Sequence, residues 1–131
     1  MKHVVILAAL GLAADTGWAA DVARGGAYYA EHCATCHGVD LDGAGPMAGV
    51  LTIKPTDLTA LARRNAGLFP TQRVAERIDG RDPLVAHGSP MPVYGFFFEG
   101  PTTRVKLPEG GSLKVSRPVA DLLAYIGAAQ D

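Results

Sequence analysis

The strongest constraint on what this 131-residue chain can become lies in one short run, Cys33-Ala34-Thr35-Cys36-His37, which holds both of its cysteines and sets a histidine directly after the second. A disulfide framework in an exported domain usually spreads several pairs along the sequence. Here both thiols lie within one helical turn. A structural zinc site needs about four ligands, and there is no second cysteine pair to complete one. A thioredoxin-like dithiol belongs in strand-helix alternation, and strand signal around residue 33 is slight.

The run is C-x-x-C-H, the attachment pattern for c-type haem. Residues three apart stand one helical turn from each other, so both thiols can reach the vinyl groups on one porphyrin edge while His37 is directed beneath the iron. Cys33 and Cys36 are therefore expected to hold one haem c through two thioethers, with His37 as an iron ligand. Composition agrees: aromatic residues make up 7% of the chain against 16 glycines and 9 prolines, a thin and heavily looped core that a large buried cofactor would fill. The net charge of -1 lacks the basic excess that phosphate binding requires, so no nucleic-acid partner is expected.

Residues 1–20 read as a signal peptide that is cleaved. Lys2 supplies the charged start, Val4 to Ala14 the apolar run, and Ala19 and Ala20 the small residues near the cut. Cutting after Ala19 puts Gly17 at the third position upstream, a better fit than the Trp18 that cutting after Ala20 would put there. The apolar run is broken by Asp15 before it reaches the length of a spanning helix. The expectation is a periplasmic protein with one domain over residues 21–131, monomeric and not integral to a membrane.

Asp21 can cap a helix from Val22 to about Cys36. Gly38 to Gly49 is a loop by composition. Asp57 to about Arg64 and Thr71 to Asp79 are helical candidates, the second bounded by Pro70 and Gly80. Prolines and glycines make 81–95 an irregular, stiff loop. Residues 104–116 alternate apolar and polar around Glu109-Gly110-Gly111, a β-hairpin signature read as a small surface flap covering part of the core, with shielding of a haem edge or a partner-specific contact as the alternatives. Pro118 to about Ala129 carries Val119, Leu122, Leu123 and Ile126 at helical spacing. The fold class is all-α with one small hairpin insertion.

On these residues the chain resembles the class I (monohaem, His/Met) cytochrome c family over most of 22–97 and the last helix. The resemblance implies a small helical domain wrapped around one covalent haem. It also implies that Gly25 and Tyr29 on the first helix pack against the last helix, with Tyr125 as partner, and that the Pro46 carbonyl accepts a hydrogen bond from the outer nitrogen of His37. For the second axial position Met91 is the first choice. It lies 54 residues after His37, is held between Pro90 and Pro92, and matches the family's ligand loop. His87 and an open position are the alternatives, and Met47, only ten residues past His37, is read as packing. Phe69 and Tyr94 are expected as haem contacts, or as plain core residues.

Lys54, Arg63, Arg64, Arg73, Arg77 and Arg81 outnumber Asp57, Glu76 and Asp79 by three, a set that could hold a haem propionate, form a docking patch, or simply be a solvated face. No Ser-His-Asp set, phosphate loop or carboxylate pair suggests an enzyme. The expected role is one-electron transfer between redox partner proteins. Alternatives are a dedicated cytochrome subunit of a periplasmic dehydrogenase or oxidase complex and, further off, a haem peroxidase or gas sensor.

Overall fold

The computed structural model describes residues 18–83 and 88–131, so most of the signal-peptide segment and His87 lie outside the described residues. Among the described residues, four helices and a two-stranded sheet follow in the order α1 (Val22–His32), α2 (Ala34–His37), α3 (Thr71–Asp79), β1 (Thr102–Lys106), β2 (Ser112–Ser116) and α4 (Arg117–Ala128). Single 3-10 turns lie at Ala48–Val50 and Arg63–Asn65. The fold is thus helical with one antiparallel hairpin, and no described helix is long and apolar enough to cross a membrane.

Asp21 caps α1 as its chemistry suggests, its carboxylate accepting from the Arg24 amide at 2.8 Å. The helix does not run on to Cys36. It breaks at Cys33 and resumes as the single turn α2. The Asp57–Arg64 helix also does not form, because its backbone groups are drawn to distant partners. The Leu58 amide donates to the Leu41 carbonyl (2.7 Å). Gln130 meanwhile accepts from the Ala62 amide (2.8 Å) and donates to the Leu58 carbonyl (2.7 Å). With those groups occupied, the i to i-4 ladder of a helix cannot close. Turns and one 3-10 turn remain.

The core lies where α1 crosses α4, with α3 and the hairpin packed beside it. Tyr29, Val119, Leu122, Leu123 and Ile126 are buried there. Asp121 is buried in the same helix face, only 2% exposed. It is satisfied from α1: its carboxylate accepts from the Asp21 amide (2.7 Å), from Arg24 Nε (2.8 Å) and from Arg24 Nη2 (3.1 Å). An acid in an apolar helix face is tolerated only with such partners. Trp18 packs on this corner beneath the guanidinium groups of Arg24 and Arg117.

The hairpin starts two residues earlier than its sequence pattern, and its strands pair Thr102 with Ser116 through Lys106 with Ser112. Val115 is buried, and Val105 and Leu113 pack against the core. The flap therefore covers part of the core. Gly110 and Gly111 turn the chain at φ 104° and 82°, values that glycine adopts without a Cβ clash.

Candidate functional site

Cys33 stands at the break between α1 and α2, and Cys36 and His37 lie on α2, so the helix break itself presents the motif. Four residues of helix cannot hold their own C-terminal carbonyls. The glycine-rich loop folds back to satisfy them: Met47, Gly45 and Gly43 donate to the carbonyls of Thr35 (3.0 Å), Cys36 (3.1 Å) and His37 (2.8 Å). Contact this close needs a residue without Cβ. A methyl on Gly45 would stand 2.5 Å from the Thr35 oxygen and 2.6 Å from that of Ala34.

The next carbonyl, that of Gly38, accepts from the buried Tyr29 hydroxyl at 2.6 Å. Tyr29 thus ties the motif to the α1–α4 core, where its ring meets that of Tyr125 at 5.3 Å. Burial raises the Tyr29 pKa above its ordinary value, so the hydroxyl stays a donor. Tyr29→Phe is expected to cost about 1–2 kcal/mol, a shift to be measured by denaturant unfolding, while leaving the ring packing intact.

His37 Nδ1 lies 2.9 Å from the Thr56 carbonyl. A carbonyl only accepts, so Nδ1 carries the proton and Nε2 keeps its lone pair for a metal. The expected acceptor was the Pro46 carbonyl, and the structure corrects that assignment to Thr56. Pro46 is exposed on the loop that caps α2. The 55–58 segment is brought to the ring by the Leu58–Leu41 bond and by Gly43, where a Cβ would stand 2.4 Å from the Pro55 oxygen.

Cys33, Phe69, Met91 and Tyr94 are partly buried and pack against the same core cluster. Phe69 also faces α4, within 3.5 Å of where a Cβ on Gly127 would be. The Tyr94 hydroxyl donates to the His32 carbonyl (3.0 Å) and its amide to the Ile78 carbonyl (2.9 Å). The segment after Met91 is therefore fastened to the end of α3 and to the residue before Cys33. The Met91 amide donates to Ser89 Oγ (3.2 Å), which lies 3.3 Å from Arg77 Nη1.

The anticipated cationic excess is partly neutralised within the chain. Arg77 pairs with Asp82 (2.8 Å), Arg81 with Asp79 (2.6 Å) and Arg63 with Asp131 (3.8 Å). Asp82 lies just past the stretch counted in the sequence, whereas Asp131 is brought to Arg63 only by the tertiary structure.

These residues suit a covalently held haem. Burial, with Cys36 adding to it, pushes the Cys33 thiol up to about 11, which is the opposite of the depressed thiolate of a redox dithiol. Met47, Val50, Leu51 and Ile53 are exposed together in the stretch after the motif, an apolar surface of the sort that a ligand covers. His37 offers a correctly protonated imidazole. Thr56 and Asp121 were missed in the sequence: a backbone carbonyl leaves no residue signature, and the signal for Asp121 is a lone acid within an apolar helical stripe.

Residues 20–82 match the family described as cytochrome C oxidase, cbb3-type, subunit III. No curated protein and no solved structure matches the chain. The family match spans α1, the C-x-x-C-H run, its capping loop, the Thr56 segment and α3, and over those residues the chain is similar to a cytochrome c domain, the domain of electron-transfer haem proteins.

Proposed function

We propose that the protein is an exported one-electron carrier with a single haem c attached through Cys33 and Cys36, its iron held by His37 and Met91. The observation that carries the proposal is the His37–Thr56 contact, which fixes the imidazole tautomer for metal binding. When bound, the haem supplies a reversible one-electron couple. The chain's own residues do the rest. The loop amides of Gly43, Gly45 and Met47 hold α2 and with it the orientation of His37. Tyr94 fastens the Met91 segment to the residue before Cys33. With haem bound, a thioether supplied by Met91 would raise its reduction potential relative to an imidazole in that place. A carrier of one electron needs donor and acceptor proteins, so multi-electron chemistry belongs to those partners.

The description of the matching family favours a second reading, a dedicated cytochrome subunit of an oxidase complex; stable co-purification with other chains separates it from a free carrier.

A pyridine haemochrome spectrum with a near-infrared scan tests the proposal. The expected result is colour that stays with the denatured polypeptide, the haemochrome of a doubly thioether-linked haem, and a sulfur-to-iron charge-transfer band. A covalent haem without that band assigns the second position to a residue other than Met91. Colourless protein, made with competent haem-maturation machinery, overturns the whole reading.

A further inference from the structure

We propose that the outward face of the β1–β2 ribbon is a docking surface for a carboxylate-rich protein surface, and this rests on the electron-transfer reading above only in taking that partner to be a redox protein. Strand pairing sets Arg104 directly across from Lys114, and Lys106 is the diagonal neighbour of Lys114. All three side chains are exposed. Cross-strand partners have Cβ atoms about 5 Å apart and diagonal neighbours about 7 Å, so three cations share one small patch. Like charges set opposite each other weaken a strand pair. No carboxylate among the described residues pairs with any of the three, whereas Arg63, Arg77 and Arg81 each have one.

The patch is also stiffly mounted. Its inner face, through Val105, Leu113 and buried Val115, is packed on the core. The ribbon's base is closed by the Arg117 amide donating to the Pro101 carbonyl at 2.9 Å. Between the cations the outward face carries only Thr102, Ser112 and Ser116. It has no aliphatic or aromatic side chain to enter a lipid layer, as an interfacial membrane anchor requires. Fixed cations interleaved with hydroxyls complement fixed carboxylates on another protein.

Adsorption of the haem-loaded protein to a carboxylate-terminated monolayer on gold, followed by surface plasmon resonance at low salt, tests this without relying on redox activity. Because the chain's net charge is -1, attraction to such a surface must come from a local patch. Arg104→Gln/Lys106→Gln/Lys114→Gln together are expected to weaken adsorption at least about tenfold, with the wild-type signal falling steeply as salt rises. Lys54→Gln/Arg64→Gln/Arg73→Gln, which removes three charges elsewhere, is expected to change it less than about twofold. An unchanged hairpin variant, or an equal loss in the control, overturns the assignment. Stronger binding to phosphatidylglycerol vesicles than to the carboxylate monolayer also overturns it, in favour of a lipid surface. Far-ultraviolet circular dichroism of each variant separates lost charge from lost fold. Voltammetry on the same monolayer keeps the two readings apart: adsorption without a reversible wave defeats the electron carrier and leaves the docking face standing.

Discussion

Met91→Ala in the haem-loaded protein is expected to lower the reduction potential by an amount on the order of 0.1 V, a fraction of the roughly 0.8 V that axial ligation spans, and to let carbon monoxide bind the ferrous iron. A thioether is a soft ligand that prefers ferrous to ferric iron, whereas imidazole and water-derived ligands are harder, so methionine ligation raises the potential. The loop around Met91 does not depend on the methionine side chain. Pro90 and Pro92 restrict the backbone on either side, the Met91 amide is held by Ser89, and Tyr94 is bonded to Ile78 and His32. Removing the thioether should therefore leave its surroundings in place, and the change in potential will report the ligand rather than a collapsed loop. Potentiometric titration with optical detection measures the shift. An unchanged potential and no carbon monoxide adduct would remove Met91 from the iron.

Gly25→Ala is the second substitution with a large expected effect, this time on stability. A methyl at Gly25 would stand 2.0 Å from the Asp121 carbonyl oxygen and 2.8 Å from Tyr125 Cβ, so α1 and α4 must separate. Glycine to alanine within a helix ordinarily gains about 1 kcal/mol of propensity. Here the clash is with backbone, which cannot turn aside as a side chain can, and overpacking of this severity outweighs that gain. A net loss of about 3 kcal/mol is expected, equivalent to a midpoint lowered by roughly 10–20 °C for a domain of this size. Separation of the helices would also pull Arg24 from the buried Asp121 carboxylate. Gly26→Ala is the internal control. Its methyl would meet only the Tyr125 ring, at 3.1 Å, and a ring can shift by a few tenths of an ångström. A change within about 1 kcal/mol is expected there. Thermal unfolding followed by circular dichroism compares the pair, and equal midpoints for the two variants would refute the close-crossing argument.

Much of the secondary structure was legible locally. Thr71–Asp79 forms as its bounding Pro70 and Gly80 suggest, with Gly80 left-handed at φ 84°. The hairpin follows from alternation about Gly110-Gly111, and α4 from its apolar spacing. The two failures share a cause. Asp57–Arg64 has acceptable helical residues, yet Gln130 and Leu41 take its hydrogen-bonding groups from far along the chain. The helix from Val22 ends at Cys33 rather than at Cys36, and α2 is held by loop amides from 43–47 instead of by a longer helix.

The same division holds for the site. Sequence alone marks Cys33, Cys36 and His37 as the candidate haem-attachment residues, because the reactive atoms are side-chain atoms and their spacing is local. The resemblance to class I cytochromes c pointed to Gly25 at the helix crossing, and the structure shows the close approach to α4 that the absence of a side chain permits. Which carbonyl steadies His37, which carboxylate neutralises Arg63, and what partners the buried Asp121 were decided by the tertiary structure. Every residue offers a backbone carbonyl of the same kind, and the path of the chain alone selects the one that arrives at the ring.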